Sequence, residues 1–302
     1  MTRATASKPS IRKDIHQQVT DTIIAQLEAG TIPWQQPWTG SDNRLRTIPK
    51  NFSTDKTYRG INILLLWGAS ITHNYTSDQW GSFLQWQGKK EAIQKGEKGT
   101  MIVYYDTLEK ENQDGEIENI PFLKTSVVFN RCQLASYTPE ESSFAENKKS
   151  LVERIVAVDQ FVSNTKAIIK HEAFGACYMN TSDTIYMPEP DTFIDTENCT
   201  ATEGYYGTLL HELMHWSGHE KRMKRTFGHK FGDRLYAEEE LVAELGSAFL
   251  CSSYEITKEQ PKHHASYIAH WTKVLQDNKH CIIAAASQAS KAIDYLHGLQ
   301  PE

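Results

Sequence analysis

Apolar residues recur every fourth position from Asp14 to Ala29, at Ile15, Val19, Ile23 and Leu27. That spacing predicts an amphipathic helix, and Gly30 supplies its stop. The next segment, Ile32 to Trp38, carries two prolines and two tryptophans and reads as a stiff aromatic loop. A second helix is expected from Gly60. Ser77 is expected to cap a third, with Trp80, Phe83 and Leu84 on one face. The glycine-flanked turn Lys95–Gly99 leads into a strand from Met101 to Tyr105. A partner strand, Phe122 to Phe129, returns after a long acidic connection, Asp106 to Asn119.

The stretch 136–149 is polar, contains Pro139 and breaks the pattern. It is expected to be a linker between a first domain, residues 1–135, and a second, residues 150–302. Beyond it come a helix from Leu151 and three short strand-like runs, 167–170, 176–179 and Thr184–Met187. Helical pattern then dominates, at about 203–217, 237–253, 264–276 and 279–297. Helix, small sheet and further helices make an α+β order.

Charge sharpens the division. Residues 1–105 hold 13 Lys+Arg against 8 Asp+Glu, whereas residues 151–302 hold 14 against 21. A basic head on an acidic body suggests that the head meets a polyanion while the body does separate work. Five scattered cysteines without a CxxC pair argue against a disulfide framework or a thiolate metal site. The polar N-terminal stretch lacks the apolar core of a secretion signal, and the longest apolar run, Ile61 to Ile71, is too short to cross a bilayer. A cytoplasmic protein without a membrane partner is the expectation, and a secreted protease is disfavoured.

The chemistry concentrates in His211-Glu212-Leu213-Met214-His215. Histidines four apart stand one above the other on a helix and can share one ion, with Glu212 beside them as general base for metal-assisted hydrolysis. A catalytic ion needs a third protein ligand. His219 continues the series, but three successive helical turns spread too far for one ion unless the chain breaks at Gly218. The next helical run carries Glu238, Glu239, Glu240 and Glu244 beside Leu241, Leu245 and Ala248. Acidic side chains flanking an apolar face are costly unless they meet a cation or donors. Glu240 as ligand and Glu244 as acceptor behind a ligand histidine would satisfy both; Glu239 or Glu244 as ligand remains an alternative. Tyr205, Tyr206, Tyr236 and His229 compete as stabilisers of a developing oxyanion.

HELMH followed by ExxxE resembles the Glu-ligand zincins. Nearly the whole chain resembles the ArdC-type antirestriction proteins of conjugative plasmids. The matching stretches include Tyr58–Asn62, Lys95–Gly99, Pro121–Lys124, Val128–Asn130, Thr208–Leu213, Glu239–Phe249 and Ala284–Leu299. The resemblance implies an N-terminal domain that binds single-stranded DNA, a zincin-like metallopeptidase domain, and protection of incoming plasmid DNA from host restriction. It also implies that Thr184–Met187 forms the edge of the cleft, to which an extended peptide adds as a strand.

Single strands are held by positive charge and aromatic platforms. Here Trp34, Trp38, Arg44, Arg46, Lys50, Arg59, Lys95 and Lys98 are the expected DNA contacts, whereas Trp67, Trp80 and Trp86 are expected in the core. The ion is expected to be Zn2+, with Mn2+ or another divalent metal as alternative. A protein bound to the DNA is the expected peptide substrate. The rival reading is a DNA shield without catalysis, in which the metal serves structure alone.

Overall fold

The computed structural model describes residues 14–35, 47–111, 117–138, 151–172, 175–196, 199–228, 234–257 and 264–301. Helix α1 (Ile15–Glu28) starts where the Asp14 carboxylate accepts a hydrogen bond from the Gln17 amide, and Val19, Ile23 and Leu27 form its buried face. A short strand β1 (Lys50–Asn51) precedes α2 (Ile61–His73), an almost wholly buried helix ended by Asn74 in the left-handed region.

Two local expectations are corrected here. Ser77 does not cap a helix: Gln79–Gly81 is strand β2, and Trp80 is completely buried between neighbouring strands. The helix that follows is α3 (Phe83–Gly88), capped by Ser82 in a reciprocal box with Gln85. The acidic connection is not a long loop either. Strand β3 (Thr100–Glu111) and strand β4 (Ile117–Asn130) pair through it as far as Glu111 opposite Ile117. The first sheet has the order β1-β2-β4-β3.

The second part begins with α4 (Leu151–Thr165), followed by β5 (Ile168–His171), β6 (Cys177–Met179) and β7 (Thr184–Met187) in the order β5-β7-β6. Strand β7 is therefore central, parallel to β5 and antiparallel to β6. Four helices complete it: α5 (Ala201–Ser217), α6 (Arg234–Ser253), α7 (His264–Asp277) and α8 (Cys281–Gly298). Leu209, Leu210, Leu213 and Met214 of α5 pack with Phe161, Ile185, Met187 and Leu250 in one core. At Gly246 the two metal-motif helices meet so closely that a Cβ there would stand 2.0 Å from the Met214 side chain.

A second core joins both parts of the chain. Val19, Ile23, Leu27, Leu64 and Trp67 share it with Leu241, Leu245, Phe249, Trp271 and Ala286. Polar ties cross the same boundary: Thr20 Oγ1 donates to the Lys279 carbonyl at 2.8 Å, and the Gly60 amide to Ser290 Oγ at 2.9 Å. Most of the expected linker, residues 139–149, lies outside the described residues, but the parts it connects are packed against each other. Among the described residues no helix is long and apolar enough to cross a membrane.

Candidate metal centre

Helix α5 is capped by Thr200, whose hydroxyl accepts from the Glu203 amide while Glu203 reaches back to it. Its last two turns carry His211, Glu212 and His215, and the chain leaves the helix at Gly218. The two Nε2 atoms stand 3.2 Å apart. Glu240 of α6 brings Oε2 to 3.5 Å from His211 Nε2 and Oε1 to 3.5 Å from His215 Nε2. One ligand atom from each residue falls within 4.8 Å of the others, and among the described residues no further group of this kind forms. His219 stays outside it, its Nδ1 accepting from the Lys221 amide at 3.2 Å.

This donor set fits a divalent cation. Two nitrogens at zinc-ligand distance, about 2.0–2.1 Å, in a tetrahedral arrangement lie roughly 3.3 Å apart. Two imidazoles and a carboxylate turned toward one point, with Glu212 alongside, need positive charge between them. Burial would raise the Glu240 carboxyl, but the His211 hydrogen bond and both imidazole charges outweigh it and hold it at about 2. Burial pushes His215 down, and Glu239, Glu240 and Glu212 more than reverse that.

The carboxylate behind His215 is Glu239, not the expected Glu244: Glu239 Oε1 lies 3.1 Å from His215 Nδ1. Arg225 grips Glu239 with two hydrogen bonds, Nε to Oε2 at 2.9 Å and Nη2 to Oε1 at 2.8 Å. The charge of Glu244, one turn beyond Glu240, bears instead on Tyr267 of α7. The rotation of α6 against α5 decides this, because it turns the side of α6 carrying Glu239 toward the second nitrogen of His215. The signal for Glu239 was its adjacency to Glu240; Arg225, in an irregular loop, had none.

A cavity of about 430 Å³ opens over the centre, lined by His211, Glu212, His215 and Glu240, by Tyr236, and by Ala176–Tyr178 of the sheet. The strand at its rim is therefore β6. This corrects the assignment to Thr184–Met187, which as the central strand has both edges taken by β5 and β6. Arg222 anchors that rim. It stacks over Trp216 at 3.8 Å and bonds Asp183, in the turn joining β6 to β7, and the Tyr178 hydroxyl. Of the competing tyrosines, Tyr205 bonds His171 Nε2 at 2.8 Å and Tyr206 bonds Asp159 at 2.6 Å. Tyr236 alone of these three lines the cavity, with its hydroxyl on Glu240. His229 lies outside the described residues.

The expected DNA contacts divide. Trp38, Arg44 and Arg46 lie outside the described residues. Trp34 is corrected: only 1% exposed, it packs edge-on against Trp271 and donates to Tyr267 at 3.1 Å, so no base can stack on it. Lys50 sits 3.8 Å from both Asp55 and Asp78, and Arg59 pairs with Asp294 of α8. Lys95 and Lys98 project into solvent. Tyr104, Tyr105 and Phe83, which the hydrophobic pattern did not single out as surface groups, are exposed on the same N-terminal part.

Histidines and a glutamate on adjacent helices beside a small sheet define a zincin-like metallopeptidase domain, and residues 156–288 match that family, "Zincin-like metallopeptidase". Residues 13–129 match the "N-terminal domain of anti-restriction factor ArdC". The chain belongs to the ArdC family of antirestriction proteins. It is 36% identical to the crystallised antirestriction ArdC protein of plasmid R388 in its metal-free form, with TM-score 0.76 over 95% of this chain and 97% of that one. The Mn(II)-bound structure of that protein matches at 35% identity and TM-score 0.75, covering 95% and 98%. Protein y4eC of Sinorhizobium fredii is 34% identical over 97% of this chain and 95% of its own length. DNA primase TraC of Escherichia coli is 33% identical over 95% of this chain, which spans 27% of the primase.

Proposed function

We propose that this chain protects incoming plasmid DNA by binding single strands through its N-terminal part and hydrolysing peptide bonds at a divalent-metal centre on His211, His215 and Glu240. The observation that carries the reading is the convergence of three ligand atoms at the floor of an open cavity walled by Glu212. Zinc is the usual ion for such a set, and the Mn(II)-bound relative supports a divalent ion.

When bound, the ion supplies Lewis-acid polarisation of the scissile carbonyl and a more acidic water. Glu212, largely buried at the cavity wall, takes a proton from the attacking water and delivers it to the leaving amine. Tyr236, whose single O–H is bonded to Glu240 at rest, turns it to the carbonyl oxygen as negative charge builds there. Strand β6 pairs with β7 on one side, and its other edge offers backbone groups to an extended peptide. In the N-terminal part, Lys95 and Lys98 meet phosphates, and Lys50 and Arg59, each ion-paired but partly exposed, add positive charge. Tyr104, Tyr105 and Phe83 give bases a surface to stack on. The DNA brings the peptidase to proteins engaged on the incoming strand, in the cytoplasm of the recipient.

The shield reading needs a closed, purely structural metal site. Three protein ligands under an open cavity leave a coordination position free, which favours catalysis. Glu212→Ala tests the choice in a conjugation assay against a restricting host. Loss of protection with metal and oligonucleotide binding intact supports hydrolysis; protection equal to the parent's supports the shield.

A further inference from the structure

The loop between α5 and α6 places one guanidinium where three parts of the centre meet. Arg225 is only 5% exposed at its side chain, and Glu239 6%. Beyond its two bonds to Glu239, Arg225 donates from Nη1 to Ser217 Oγ at 2.9 Å and from Nη2 to the Met214 carbonyl at 2.5 Å. Both acceptors belong to the last turn of α5, where the Met214 carbonyl has no i+4 amide and accepts from the Ser217 hydroxyl at 2.6 Å as well as from Arg225. The same group thus holds the end of the helix that carries the histidines and the start of the helix that carries Glu240. A buried ion pair adds little net stability by itself, so its worth lies in the geometry it fixes.

Gly218 is the second observation. Its φ of −76° is open to any residue, so backbone freedom does not explain it. A Cβ at that position would stand 2.8 Å from Arg225 Nη2 and 2.9 Å from both Arg225 Cζ and Phe227 Cζ. The glycine gives the guanidinium room to lie flat against the helix end.

We propose that Arg225 is the positioning residue of the metal centre. It locks Glu239, and through it His215, while tying α5 to α6 so that the two histidines and Glu240 stay at coordinating distance. This rests on the metal-centre reading above. It adds that the ligand geometry is imposed from the α5–α6 loop.

The test uses Co2+ as probe, followed by its visible absorption, with the full-length chain. Arg225→Met alone strands the buried Glu239 charge, so Arg225→Met/Glu239→Gln removes both charges together and Gly218→Ala displaces the guanidinium with every charge kept. Each is expected to keep the parent's circular dichroism, to bind Co2+ about 10–100-fold more weakly, as loss of an outer partner of a ligand histidine does, and to show an altered absorption band. Parent affinity and parent spectrum in a folded Gly218→Ala or double variant overturn the proposal. Glu240→Ala is the control for the underlying reading. If Co2+ binding survives that substitution unchanged, the metal centre is misassigned and the positioning role falls with it.

Discussion

The hydroxyl of Tyr236 is hydrogen-bonded to the carboxylate of Glu240, one turn further along α6. Burial, the Glu240 charge and this bond together push the phenol up to about 12, so it stays protonated and able to donate at neutral pH.

Tyr236→Phe is therefore expected to leave metal affinity within a few-fold of the parent. Turnover of a cleavable peptide should fall ~10²–10³-fold, the usual cost of losing one donor to a developing oxyanion. Weaker metal binding with unchanged turnover per bound ion would reassign Tyr236 to holding Glu240.

The shared core predicts how the chain behaves when divided. A fragment ending at residue 138 would uncover Val19, Ile23, Leu64 and Trp67, which Leu245, Phe249 and Trp271 cover in the whole chain. Such a fragment should bind a hydrophobic dye and melt without a cooperative transition. A sharp thermal transition for the fragment would show that the first part is an independent domain.

Charge and aromatic substitutions in the N-terminal part should separate. Neutralising Lys95 and Lys98 to Gln should weaken oligonucleotide binding and flatten its salt dependence by about 1.4 in log–log slope, roughly 0.7 for each phosphate no longer neutralised. Trp34→Phe should cost about 1–3 kcal/mol of stability through a core void and the loss of one donor to the Tyr267 hydroxyl. Oligonucleotide affinity of the folded protein should stay the same. Measuring both variants by fluorescence anisotropy across a salt series checks the division; a loss of affinity in Trp34→Phe would restore the indole to the DNA site.

The Asp183–Arg222 pair sets one pH dependence. The Arg222 hydrogen bonds hold the Asp183 carboxyl below its ordinary value of 3.8 against an opposing effect of burial. Its contribution is thus complete above the unfolded-state value and is lost as pH falls through the lower folded-state value. Asp183 has φ of 51°, a conformation asparagine tolerates, so Asp183→Asn removes charge without straining the turn. Urea unfolding at neutral pH should show the variant about 1 kcal/mol less stable, a typical upper value for a partly exposed pair. The gap should close well below pH 4; a constant gap would mean that the pair's charge is immaterial.

How much of this could be read from the sequence depended on whether the physical signal was local. His211 and His215 are set by helical spacing alone, and Glu240 stands out because a carboxylate beside an apolar face demands a cation. Glu244 carries the same local signal and Glu239 only its adjacency to Glu240, and the rotation of α6 against α5 is what assigns their roles. Arg225 reaches the site from irregular chain, where periodicity says nothing. Strand order is likewise non-local, so β6 and β7 exchanged roles although both strands were legible. Trp34 shows the limit from the other side: a tryptophan near prolines looks the same whether it faces solvent or Trp271. Ser82 was within reach, since its partner Gln85 completes a capping box three residues on.

The central claim is that His211, His215 and Glu240 share one ion. Anomalous diffraction from crystals of the full chain grown with Zn2+ tests it most directly. One peak is predicted about 2.0–2.2 Å from both Nε2 atoms and a Glu240 oxygen, with Glu212 outside bonding distance. No peak there, or an ion held by His219 or Glu244 instead, would contradict the account.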